Sequence, residues 1–172
     1  MSGRNIVLIG MPGAGKSTIG VLLAKTLGMP FTDTDLIIQQ REGRLLQDII
    51  NKDGIEKFLA IEEAVILGLN VKEHIVATGG SAVYSDAAVG RLKKDGILVY
   101  LQLEFEDIEK RIKNITSRGI AMSQGQSLAE LYVERVPLYE KFANVTISCT
   151  GKHTEDIVAQ IKVVYQDFVL NT

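Results

Sequence analysis

Gly10-Met11-Pro12-Gly13-Ala14-Gly15-Lys16-Ser17 matches the phosphate-binding pattern Gly-x-x-x-x-Gly-Lys-Ser/Thr at every position. The flanking residues supply the setting this pattern needs. Asn5-Ile6-Val7-Leu8-Ile9 is a short apolar run that reads as a buried parallel strand. After the loop, Ile19, Leu22, Leu23 and Leu27 mark a helix with one apolar side, ended by Gly28. Glycines let the loop backbone approach a ligand closely. Its N–H groups then converge on phosphate oxygens at the positive end of the following helix. Gly13, Ala14, Gly15, Lys16, Ser17 and Thr18 are the candidate nucleotide-binding residues. Lys16 is expected to reach the outer phosphates as a point charge, and the Ser17 hydroxyl to hold Mg²⁺.

Outward from the loop, strand-like and helix-like segments alternate. Strands are expected at 5–9, 30–33, 74–78, 97–101 and 145–149. Helices are expected at 16–27, 35–41, 45–51, 55–69, 86–94, 105–113, 127–142 and 154–170. Alternation of this kind points to an α/β fold, a parallel sheet with helices on both faces. Ligands of such sheets bind beyond the carboxyl ends of the strands. At 172 residues, a single domain over 1–172 is expected.

Composition narrows the function classes. A formal net charge of −2 with no basic stripe gives no electrostatic case for nucleic acid. No apolar run is long enough to span a bilayer. The first residues lead straight into a strand, so no signal peptide is expected. Cys149 is the only cysteine, which rules out an internal disulfide and suits the cytoplasm. It is expected to be a buried, inert thiol. His74 and His153 lack metal-ligand spacing and are given no chemistry. A monomer is expected.

The remaining chemistry falls at strand ends. In Phe31-Thr32-Asp33-Thr34-Asp35, residues two apart on a strand share a face, so both carboxylates are expected to enter one site. One carboxylate suits a water of the Mg²⁺ shell, the other an acceptor hydroxyl that it orients or deprotonates. The plain alternative is that Thr34 or Asp35 caps the next helix. Thr78-Gly79-Gly80-Ser81 ends the third strand and lets backbone approach a ligand, as a simple turn would also do. Residues 114–126 are polar, contain Gly119 and Gly125, and read as a mobile lid. Arg118 in the lid suits charge on a transferring phosphoryl group; a solvated surface arginine is the alternative. Arg111 suits stacking on a nucleotide base, or simply faces solvent. Arg135, in Val133-Glu134-Arg135-Val136-Pro137, suits a planar clamp on a carboxylate, or a surface pairing with Glu134. Pro137 is expected to kink or end its helix, which would aim Arg135 inward.

In order and spacing, these motifs resemble the shikimate kinase family from about residue 5 to residue 170. Arg41-x-Gly43-Arg44, Asp53-Gly54, Phe58 and Ile61-Glu62-Glu63 agree with it. The resemblance implies a three-layer P-loop kinase fold, with a five-stranded parallel sheet in the order 2-3-1-4-5. It implies transfer of the ATP γ-phosphoryl group to the 3-hydroxyl of shikimate with Mg²⁺, a step of aromatic amino acid biosynthesis. Carried over by similarity, Lys16 contacts the phosphates, while Ser17 and Asp33 serve the metal. Asp35 binds the acceptor and is the candidate base. Phe58, Gly79, Gly80, Ser81 and Arg135 bind the acceptor, together with a helical region at about 35–63. Arg118 bridges nucleotide and phosphoryl group, and Arg111 packs on adenine.

The departures from the family pattern fall in the acceptor half. Leu59 stands where a second carboxylate-binding arginine is usual, Ile55 where a glutamate is, and Ile50 where an aromatic is. Ser81 replaces the third glycine of Gly-Gly-Gly, and Gly119 follows Arg118 in place of proline, which is expected to loosen the lid. Two other readings therefore stand beside a shikimate kinase. One is a sibling kinase acting on another small polyol or ring acid. The other is a nucleotide-binding module that does not catalyse.

Overall fold

The computed structural model of the chain describes residues 3–113 and 119–170. Five strands form one sheet: β1 (Asn5–Ile9), β2 (Phe31–Asp33), β3 (Ile75–Ala77), β4 (Gly96–Gln102) and β5 (Val145–Ser148). Their order is β2-β3-β1-β4-β5, and every pairing is parallel. β1 lies at the centre, with Ile6 opposite Ile75 on one side and Ile97 on the other. Strands covered on both faces need apolar residues at every position, and β1 and β3 are buried throughout. β5 is an edge strand, and there only Ile147 is buried.

The helices are α1 (Lys16–Leu27), α2 (Thr34–Glu42), α3 (Leu46–Asp53), α4 (Ile55–Leu67), α5 (Asp86–Asp95), α6 (Phe105–Lys113), α7 (Leu128–Phe142) and α8 (Thr154–Leu170). A single 3₁₀ turn spans Ala82–Tyr84. The main apolar core surrounds the sheet. A second, smaller core of Ile38, Leu46, Ile49, Phe58, Ile61 and Val65 ties α2, α3 and α4 together. Ala121, from the segment beyond α6, completes it. The helical region and the segment over it are thus joined by apolar burial, the strongest non-directional glue available.

Element ends differ from the sequence expectation by a residue or two at most, and two local readings are corrected. The second strand stops at Asp33, so Asp33 and Asp35 do not share a strand face; Asp35 sits in the first turn of α2. Asp33 is the helix N-cap, accepting from the Asp35 N–H at 2.9 Å. Pro137 neither ends nor bounds its helix, because α7 runs through it from a Ser127–Glu130 capping box. The carbonyl that proline disengages belongs to Val133, whose side chain is 72% exposed, on a solvent-facing side of the helix.

Candidate active site

The phosphate loop joins β1 to α1. Gly10, Gly13 and Gly15 have φ of 149°, 82° and 91°, values that side chains rarely adopt. Gly10 is also sterically compelled, since a Cβ there would lie 2.9 Å from the Leu101 carbonyl oxygen. Gly15 caps α1 without any side-chain hydrogen bond, so the first-turn N–H groups point outward with the helix dipole behind them. Lys16 is buried, and its Nζ donates to the carbonyls of Gly10 at 2.7 Å and Met11 at 2.8 Å. Arg111 Nη1 donates to the Gly13 carbonyl at 3.1 Å, which sets its guanidinium against the loop.

Ser17 Oγ donates to Asp33 Oδ2 at 2.7 Å. One hydroxyl and one carboxylate suit Mg²⁺, which keeps several waters and takes the rest of its shell from substrate phosphates. Among the described residues no group of three or more His, Cys, Asp or Glu is placed to hold a metal ion. The fixed positive dipole, Lys16 and the glycine cradle likewise suit a triphosphate.

Beside the loop lies a cavity of about 30 Å³. Lys16, Ser17, Asp35, Phe58 and Thr78 to Ser81 line it, Arg135 closes one side, and Gly119 to Ala121 lie over it. Arg135 is 1% exposed. Its Nε donates to the Tyr84 hydroxyl at 3.1 Å, its guanidinium lies 5.1 Å from the centre of the Tyr84 ring, and Nη2 donates to the Ala121 carbonyl. Glu134 accepts instead from Tyr84 and Gln126, so it is not the partner of Arg135. The glycine pair is demanded by crowding. A Cβ on Gly79 would fall 2.3 Å from Glu62 Oε2, and one on Gly80 would fall 2.9 Å from both Arg135 Nη1 and Pro12. Tyr139, fully buried, donates to the Gly80 carbonyl at 2.6 Å and holds this wall in place.

A family model for shikimate kinase matches residues 12–166. The chain is 38% identical over 164 residues to the shikimate kinase of Thermobifida fusca, covering 94% of each protein. It is 37% identical over 161 residues to that of Thermodesulfovibrio yellowstonii, covering 92% of each. The chain belongs to the shikimate kinase family. Among solved structures, shikimate kinase from Acinetobacter baumannii in complex with shikimate superposes with a TM-score of 0.88 at 32% identity, covering 96% of this chain and 94% of that one.

The departures from the family pattern are mostly displaced from the small cavity beside the phosphate loop. Leu59 faces a different cavity, shared with Glu63, Tyr84 and Ser85. Ile50 and Ile55 line an open groove between α3 and Met122–Gln124. Leu59, Ile50 and Ile55 thus lie outside the lining of the small cavity as it stands, while Ile120 borders both that cavity and the groove beside Ile50 and Ile55. Successive helix residues rotate by about 100°, and α3 and α4 turn these positions aside. Ser81 alone of the four lines the cavity beside the phosphate loop. Gly119 is also required sterically. A Cβ there would lie 2.6 Å from Leu46 Cβ and 2.7 Å from the Gln47 nitrogen, so the glycine permits close packing on α3. Arg118, with residues 114–117 of the expected lid, lies outside the described residues.

Sequence reasoning assigned no role to Glu62, Tyr84 or Tyr139. Glu62 had a signal: Phe58, Ile61, Val65 and Ile66 place it on the buried stripe of α4. It is 2% exposed and accepts from Ser81 Oγ at 2.6 Å. Burial pushes its carboxyl up to about 7; the Ser81 hydrogen bond opposes this, the Asp35 charge adds to it, and the charges of Arg135 and Lys16 oppose it. Cys149 is buried, which raises its thiol to about 11.

Proposed function

We propose that this chain transfers the γ-phosphoryl group of ATP to the 3-hydroxyl of shikimate, yielding shikimate 3-phosphate and ADP. The observation that carries the reading is the convergence of Lys16, Ser17, Asp35 and Arg135 on one cavity beside the phosphate loop. Loop N–H groups and Lys16 bind the triphosphate, with Arg111 at the loop's flank. Ser17 and Asp33 hold Mg²⁺, which when bound neutralises phosphate charge. Arg135 clamps the acceptor carboxylate; its planar fork suits two oxygens. Asp35 accepts the hydrogen bond of the attacking hydroxyl and orients it. Phe58, Gly79, Gly80 and Ser81 shape the pocket, and Arg118 stabilises charge on the phosphoryl group in transit.

A cavity of about 30 Å³ has room for roughly one or two waters. A ring acid therefore enters only when Gly119–Ala121 withdraw and the Ala121 carbonyl releases Arg135. This supports a lid over about 114–126 within a single domain of 1–172, and an acceptor-binding region over about 35–63. We place the enzyme in the cytoplasm, as a monomer in aromatic amino acid biosynthesis.

Coupled ADP release, with product identified by phosphorus NMR, tests the reading on shikimate, gluconate and a panel of sugar acids. Shikimate is expected to be turned over at sub-millimolar concentration and to depend on Mg²⁺. Preferred turnover of another acceptor would overturn the substrate assignment. Asp35→Asn with unchanged ADP release would overturn the catalytic one.

A further inference from the structure

The roles above leave one buried carboxyl without a task. Ser81 forms part of the wall between two cavities, the acceptor cavity and a second one of about 270 Å³ bordered by Leu59, Glu62, Glu63 and Tyr84. Glu62 lies inside this wall. Its Oε1 accepts from Ser81 Oγ at 2.6 Å, and Oε2 is buried without a hydrogen-bond partner among the described residues. Oε2 is held against Gly79, which lines the acceptor cavity.

A serine hydroxyl has one hydrogen to give. While Glu62 is ionised, it accepts only, and the Ser81 hydrogen is committed to it. The acceptor cavity then meets a serine lone pair backed by a negative charge, both unfavourable to an anionic acceptor. Once Glu62 takes up a proton, its own O–H donates to Ser81 Oγ, and the Ser81 hydrogen is released toward the acceptor cavity. One proton from solvent is consumed, and no other bond is made or broken.

We propose that Glu62 is a positioning residue that sets the direction of the Ser81 hydroxyl, so that the enzyme binds its acid acceptor more tightly when Glu62 is protonated. The inference rests on the reading of this cavity as the shikimate site. The charged groups around Glu62 fit the role. Burial is the largest influence and favours the neutral carboxyl; the Ser81 hydrogen bond favours the ionised one. Asp35 on α2 favours the neutral form, while Arg135 on α7 and Lys16 on α1 favour ionisation. Glu63 on the same helix accepts from Ser85, and Tyr84 beyond the cavity bonds Glu134 and Arg135. The balance leaves Glu62 titrating at about 7, where a proton can decide the outcome.

The test is the KM for shikimate from pH 6 to 9, at saturating ATP and Mg²⁺, in the parent, Glu62→Gln and Ser81→Ala. The parent KM is expected to rise above pH 7 by up to about tenfold per pH unit, the limit for one linked proton. Glu62→Gln, whose amide donates at every pH, is expected to keep a low KM without that rise. Ser81→Ala is expected to have a raised KM that rises with pH less steeply than the parent's, because the Glu62 charge still titrates. Carbon-13 NMR of labelled glutamate carboxyls in the parent is a second measurement that needs no variant. One carboxyl is expected to titrate near 7, and to move to higher pH when shikimate is added. A flat parent KM, a slope that survives Glu62→Gln, or no glutamate titrating between pH 6 and 8 would overturn the inference while leaving the kinase intact. No phosphorylation of shikimate at any pH would overturn the functional reading and this inference together.

Discussion

Replacing Gly80 by alanine adds one methyl group to the most crowded point between the phosphate loop and the acceptor arginine. Gly80 is not among the positive-φ glycines, so alanine fits its backbone and the effect is steric. The new Cβ would lie 2.9 Å from Arg135 Nη1 and 2.9 Å from Pro12 Cδ. Those contacts fall short of ordinary carbon separations by at least about half an ångström. Neither neighbour yields freely. Arg135 is held by Tyr84 and Ala121, and Pro12 belongs to the glycine-rich loop. Overpacking of this kind costs about 1–3 kcal/mol. In a chain of this length that corresponds to a fall in Tm of roughly 2–12 °C. A displacement of Arg135 approaching 1 Å would reduce kcat/KM for the acceptor by about a hundredfold. Gly90 provides the matched control. It is exposed in α5, and a Cβ there meets nothing within 4 Å. Gly90→Ala is expected to stabilise by about 0.5–1 kcal/mol through helix propensity and to leave the kinetics unchanged. The same chemical change thus has opposite signs at two sites. Differential scanning calorimetry and steady-state kinetics on both variants decide the matter. A Gly80→Ala protein with parental Tm and KM would refute the packing on which the acceptor wall depends.

Other expectations follow from the same geometry. Tyr139→Phe removes the donor to the part-buried Gly80 carbonyl and should cost about 0.5–1.5 kcal/mol in urea unfolding; no loss would contradict a stabilising role for this bond. Glu62 has a folded value of about 7 against an ordinary 4.5, so its contribution to stability is complete below 4.5 and is lost as pH rises through 7. Glu62→Gln should therefore gain on the parent by up to about 3 kcal/mol between pH 4.5 and 8, measured by denaturant midpoints; a constant difference across that range would contradict the raised value. Arg118→Ala should lower kcat by about a thousandfold with little change in the Kd of ATP; parallel losses in both would assign Arg118 to ground-state binding. Cys149, with its thiol raised to about 11, should react with a disulfide reagent at pH 8 only at the rate of unfolding; rapid labelling of the native protein would contradict its burial.

The two halves of the site were unequally legible. Everything the phosphate cradle needs lies within residues 5–18: an apolar strand, glycines for positive φ, a lysine, a hydroxyl and a helix start. Its chemistry is local, so a linear pattern suffices. The premise for the Asp33–Asp35 pair was incorrect, since the chain enters α2 at Thr34 and a helix cap, not a shared strand face, orders the two carboxylates. The acceptor wall draws on α2, α4, the β3 end, the segment at 119–121 and α7, and nothing in the spacing says how these meet. The period of α4 was enough to bury Glu62, but not to pair it with Ser81 nineteen residues on.

The order of strands and helices and the identity of the phosphate site were present in the amino-acid string, because hydrophobic period and turn chemistry act over a few neighbouring residues. The rotation of α4, which sends Leu59 into a separate cavity, and the descent of Gly119 onto Leu46 were not. Such features are set by how finished elements pack, and close packing depends on the shapes of surfaces brought together from distant parts of the chain.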